Sequence, residues 1–155
     1  MVKFVADMML GKLARWLRII GYDTAYDQSS SLRDLVALSN RTGSVFLTRR
    51  KCMPEEIGAA SLFNVESEIF EDQFRSVVNH FHLDTQHHLF TRCLLCNVVV
   101  MSVQKQLIGG KVPQKSFDGF EEFFECPVCH SVYWGGVHRT NTIKKLNGIL
   151  HSTFC

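Results

Sequence analysis

The stretch FVADMMLGKLARWLRIIGYDTAYD, Phe4 to Asp27, reads as strand, helix, strand. Val2–Ala6 is a short apolar run that ends at Asp7. Within Leu10–Ile20, Leu13, Trp16, Leu17 and Ile20 recur at the three- and four-residue spacing of a buried helical face. Lys12, Arg15 and Arg18 fall on the opposite face. Gly21 stands where a helix ends in a residue of left-handed backbone. Tyr22–Tyr26 is then a second strand, stopped by Asp27.

The alternation continues. Ser29–Ser31 can cap a helix running to about Arg41, with Leu32, Leu35, Val36 and Leu38 as its apolar positions. Gly43 breaks that pattern, and Val45–Leu47 is a third strand followed by Thr48, Arg49 and Arg50. A short helix near Pro54–Ala59, a fourth strand near Ser61–Val65 and a helix over Ile69–His82 follow. Strands alternating with helices predict an α/β domain over residues 1–85, a parallel sheet with helices on both faces. In such sheets the ligand crevice lies beyond the carboxyl ends of the strands. Asp7, Asp27 and Thr48–Arg50 therefore gather on one edge.

That edge carries the residue types of a metal-dependent phosphodiesterase. Mg²⁺ or Mn²⁺ prefers carboxylate oxygens and can activate water beside a phosphate. Asp7, Asp27 and Asp34 are the candidate ligands, with Asp23 in reserve. Taken singly, each of these acids also fits a helix cap, a turn or a solvated charge. Asp7, closing an apolar strand just before a helix, weighs toward the site. Lys12, Arg15 and Arg18 form a basic stripe, and Arg49, Arg50 and Lys51 a second cluster at the same edge. Together they can seat the phosphates of an RNA strand; the stripe alone also fits a solvated helix face.

Two Cys-x-x-Cys pairs stand in the second half: Cys93 and Cys96 in TRCLLCN, Cys126 and Cys129 in ECPVCHSVYW. Such turns aim two thiolates at one centre, and two of them complete the tetrahedral S4 set of structural zinc. Disulfides or a redox pair are the competing reading. The N-terminal MVKFVADMMLGK lacks signal-peptide anatomy, since Asp7 and Lys12 interrupt it, and no apolar run reaches the length of a membrane span. A cytoplasmic protein with reduced thiols is expected, which favours metal. Residues 90–140 read as a small β zinc ribbon, with strands near Val98–Val103 and Val132–Gly136 and turns at Gly109–Lys111 and Ser116–Phe120. Tyr133 and Trp134 either stack on a base or roof the ribbon's core. Residues 141–155 form a tail with helical spacing of Ile143, Leu146, Ile149 and Leu150. Cys52 and Cys155 stand outside the paired motif. The net charge of +2 over 155 residues excludes a globally basic nucleic-acid binder, so any such affinity is local.

The segment DMMLGKLARWLRIIGYDT, the later FLTRR and the two knuckles TRCLLCN and CPVCHSVYWGGVH resemble the Mut-seven C-terminal ribonuclease domain family, over residues 3–140. The resemblance implies a PIN-like nuclease domain with a C-terminal zinc ribbon, acting on RNA. It maps Asp7, Asp27 and Asp34 onto the family's acidic positions, Lys12 and Arg15 onto its signature helix, and the four cysteines onto its zinc ligands. This chain departs from the pattern in three places. Arg50 stands where the family carries an aspartate, which removes a ligand and adds a charge that repels metal. His130 stands where glycine is common, and Gln28–Ser31 is less acidic than usual. The resemblance thus implies a metal-dependent ribonuclease. The alternative is a PIN-like module with a weakened site that binds RNA or protein without cutting. A protein partner on the ribbon is a third expectation.

Overall fold

Phe4, Val5 and Ala6 are all buried, although successive side chains of a strand face opposite ways. A strand buried on both sides needs a helical layer on each, and the computed structural model has them. It describes residues 1–151. The chain divides into two compact units, Met1–Asn97 and one beginning at Val98.

In the first unit β1 is Phe4–Ala6, α1 Gly11–Ile19, β2 Thr24–Ala25, α2 Leu32–Thr42, β3 Val45–Thr48, β4 Leu62–Asn64 and α3 Phe70–His80. A single 3-10 turn, Met8–Leu10, joins β1 to α1. The sheet order is β2-β1-β3-β4 and every pairing is parallel, with Phe4 opposite Thr24 and Val45. Val5 and Phe46 pack with Leu35 and Val36 of α2 on one face. On the other, Phe4 meets Tyr22 and Phe81, and Trp16 of α1 meets Phe70 and Phe74 of α3. The expected parallel sheet flanked by helices is thus present.

Local chemistry sets the element ends. Ser31 accepts the Asp34 N–H while the Asp34 carboxylate accepts the Ser31 N–H, a reciprocal cap on α2. Gly43 closes that helix at φ 62°. Two expected elements differ. β2 is shorter than Tyr22–Tyr26, because the Tyr22 N–H is taken by the Leu17 carbonyl. Pro54–Ala59 is no helix but a turn closed by the Ile57 N–H on the Pro54 carbonyl. A stretch that short, with Pro54 at its start and Gly58 inside it, does not repay helix nucleation. Ile57 and Ala59 instead pack against the core beside α2.

In the second unit β5 is Met101–Val103, α4 Gln114–Gly119, β6 Phe123–Glu125, β7 Val132–Trp134 and α5 Val137–His151. The three strands form an antiparallel sheet in the order β5-β6-β7. Ile108, Val112 and Phe123 make its small core, with Phe117, Phe120 and Trp134 against it. Trp134 therefore roofs the core, one of its two expected roles. Ser116–Phe120, expected as a turn, largely falls in α4: burial of Phe117 and Phe120 against Phe123 outweighs the turn-forming composition. The terminal helix begins at Val137, before residue 141, and buries Leu146 and Ile149. Its expected end and Cys155 lie outside the described residues. Among these, no helix is long and apolar enough to cross a membrane.

Candidate functional site

β1 and β3 are neighbours, while the chain leaves β1 first toward β2 on its other side. Their carboxyl ends are thus the point where the strand order reverses, the usual crevice of such sheets. Asp7 follows β1 there and is 0% exposed. Its Oδ1 accepts the Met8 N–H at 2.7 Å, capping the 3-10 turn. Its Oδ2 accepts the Thr48 hydroxyl at 2.7 Å and the Arg50 Nε–H at 2.9 Å. The Arg50 side chain is 35% exposed and is fixed from behind. Its N–H donates to the Thr48 hydroxyl and its carbonyl accepts the Asn64 amide. A buried carboxylate needs a countercharge, and here a guanidinium supplies it.

Asp27 and Asp34 are exposed and locally engaged. Asp27 accepts the Ser30 and Ser29 hydroxyls and the Ser29 N–H, which hold its carboxyl below the usual range. Asp34 is the carboxylate of the α2 cap. Asp23 lies at the amino end of β2, where it accepts the Asn97 amide at 2.7 Å. Among the described residues, the set of three or more His, Cys, Asp or Glu side chains close enough to share a metal is the four cysteines. Asp7, Asp27 and Asp34 are not brought into such a set.

The basic residues separate in the same way. Lys12 and Arg15 are exposed, and the Lys12 Nζ lies 4.2 Å from the centre of the Phe70 ring. Arg49 pairs with Glu68 at 2.7 Å and keeps a buried Nε without a partner. Arg18 is not on the surface stripe where helical spacing puts it. It is 6% exposed, with Nε on the Thr24 carbonyl at 2.9 Å and Nη1 on the carbonyls of Leu94 and Leu95 at 2.7 and 3.0 Å. Burial pulls its pKa down, opposed by Cys93, Asp23 and Cys96.

The cysteine knuckles share one geometry. The Asn97 N–H donates to the Cys93 carbonyl, and the His130 N–H to the Cys126 carbonyl, each at 3.0 Å. Asn97 and His130 both take positive φ, 63° and 59°. The glycine common at the second place thus answers a left-handed backbone, which histidine adopts more readily than most side chains. Backbone N–H groups point at the sulfurs, Cys96 to Cys93 Sγ at 3.3 Å and Val128 to Cys126 Sγ at 3.4 Å. All four Sγ atoms lie within 4.8 Å of one another. Zinc at ~2.3 Å from four tetrahedral sulfurs sets them about 3.8 Å apart. The set can therefore hold a metal ion, and its all-thiolate chemistry with N–H···S support fits structural zinc.

The Mut7-C RNAse domain model matches residues 2–146. The chain belongs to the Mut7-C RNAse domain family. No curated protein and no solved structure matches it. Membership in the Mut7-C family points to a nuclease-like function. Within the Mut7-C unit, sequence puts Thr48 on this edge without a role of its own and leaves Asn64 and Glu68 unmarked. All three stand at or just after the ends of β3 and β4. The strand-end rule that picked out Asp7 would have found Asn64, had uncharged side chains been counted as positioning groups; Glu68, in the loop after β4, is marked only by its pairing with Arg49.

Proposed function

We propose that this Mut7-C domain binds an RNA backbone at the Asp7 edge and that Arg50 holds metal-dependent cleavage off. The observation that carries the reading is the 2.9 Å bond from Arg50 Nε to Asp7 Oδ2. In a metal nuclease a divalent ion neutralises such a carboxylate. Here the guanidinium already does so, and its charge opposes an incoming cation. The exposed Lys12 and Arg15 on α1, with Lys51 after β3, supply cations for phosphate. A reducing, cytoplasmic setting goes with this reading, since four thiolates must stay unoxidised.

Fluorescence anisotropy of a labelled single-stranded RNA, titrated at several salt concentrations, tests the binding. Replacing both Lys12 and Arg15 with alanine is expected to weaken binding at least tenfold. It should also flatten the log–log salt dependence by about 1.4, two phosphate contacts on a single strand. Unchanged affinity and slope would remove this surface from the site.

A second reading is a metal-dependent ribonuclease using Asp7 with Asp27 and Asp34 and a bound Mg²⁺ or Mn²⁺. Family membership and the place of Asp7 at the β1–β3 crevice favour it. It requires Arg50 to leave Asp7 when metal and RNA arrive.

A further inference from the structure

Arg18 reads in sequence as a surface cation, yet it is a buried guanidinium spent on backbone carbonyls. Two of them, Leu94 and Leu95, are the residues between Cys93 and Cys96. The third, Thr24, is in β2. Arg18 thus ties α1, β2 and the first knuckle at one point. A second tie runs beside it. The Thr24 N–H donates to Asn97 Oδ1 at 3.0 Å, and Asn97 Nδ2 donates to Asp23. Arg92 adds a third, with Nε on the Gly21 carbonyl at 3.0 Å. The Asp23 carbonyl in turn accepts the Phe4 N–H of β1 at 2.8 Å. Every one of these residues lies in Met1–Asn97.

We propose that Arg18 is a positioning residue for the zinc site, and that zinc bound at the four cysteines is consequently a folding ligand of the α/β sheet. Two physical reasons support it. A zinc ion with four thiolates carries a net negative charge, and a guanidinium sequestered beside it offsets that charge where water cannot. Groups that hold ligand loops in place also shape metal affinity as strongly as a fraction of the ligands themselves. Linkage then works both ways: if the Arg18 and Asn97 ties favour zinc, zinc must favour the α1–β2 arrangement by the same factor. This inference does not rest on the RNA reading and survives its failure.

The test uses the full chain and has two readouts. Zinc affinity is measured by competition with a chromophoric chelator for wild type, Arg18→Met, Arg18→Lys and Asn97→Ala. Arg18→Met is expected to weaken zinc about 10- to 100-fold, in the range seen for groups that support metal ligands. Arg18→Lys, which keeps the charge, should recover part of that loss. Amide hydrogen exchange in wild type, with zinc and after chelation, is the second readout. Removing zinc should speed exchange at the Thr24 N–H and the last turn of α1 at least tenfold. Should Arg18→Met fail to fold, Asn97→Ala decides the affinity question alone, because it cuts the parallel tie and leaves the guanidinium in place. Zinc affinity within twofold of wild type in the variants that fold overturns the proposal. So does unchanged exchange at Thr24 after chelation.

Discussion

At the scale of single residues, the decisive chemistry is what each carboxylate already holds. Asp7 is buried with a hydroxyl, an N–H and a guanidinium on its two oxygens. Asp27 and Asp34 share the type but not the setting, being exposed and held by serines of their own turns. Asp84 shows how strongly such local bonds act. It accepts the N–H groups of Gln86 and His87 at 2.8 and 3.1 Å, and the His87 ring stands 2.7 Å away. Chiefly through those two N–H groups its pKa falls from 3.8 to about 2. A depressed carboxyl contributes stability above its unfolded pKa and loses it as pH drops through the folded value. The Asp84 contribution should therefore be complete above pH 3.8 and fade as pH falls toward about 2. A carboxyl-carbon NMR titration checks this. A midpoint near 2 is expected, whereas one near 3.8 would mean the turn does not persist in solution.

At the scale of elements, α1 does two jobs at its two ends. Its first turn sets Lys12 beside the Asp7 edge, and its last turn sets Arg18 on the first knuckle, about 9 Å further along at ~1.5 Å per residue. Just past the end of the helix stands Gly21, whose φ is +93°. A Cβ there would meet the His88 carbonyl oxygen at 2.5 Å and the His88 Cβ at 2.6 Å. Both the backbone angle and the neighbouring backbone exclude a side chain. Gly21→Ala should therefore cost about 3 kcal/mol or more, beyond the usual cost of a surface change, as a lowered midpoint in urea unfolding. A loss under about 1 kcal/mol would contradict the close approach of residues 88–91 to this helix end.

The same helix shows how far sequence reading reaches. Its apolar stripe of Leu13, Trp16 and Leu17 is legible because burial follows a 3.6-residue period. Strand ends are legible too, so Asp7 and Thr48–Arg50 fall on one edge as expected. Arg18 is not legible as a buried group. Its burial comes from residues 94 and 95, more than seventy positions away, and no local pattern encodes that contact. The pairing of Arg50 with Asp7 is half legible. Sequence shows a cation where an acid is usual, and only the fold shows that it reaches the carboxylate at a distance of 43 residues. β6 and α4 escape because FFE and SFDG are too short to carry a period, and burial around Phe123 decides them.

At the scale of the whole molecule, an α/β unit and a small β unit divide the chemistry. The second unit is small, and the cluster beneath its sheet holds only Ile108, Val112 and Phe123 with partial cover, the scale at which a bound metal contributes much of the folding free energy. The first has a full two-sided core and carries the Asp7 edge. What that edge does turns on Arg50. The most direct measurement is cleavage of single-stranded RNA in Mn²⁺ or Mg²⁺ by nuclease-free preparations of wild type, Asp7→Asn and Arg50→Asp. If Arg50 holds the cation position, wild type and Asp7→Asn should show the same background, while Arg50→Asp gains metal-dependent cleavage of at least tenfold. Metal-dependent cleavage by wild type that is lost in Asp7→Asn would contradict the account.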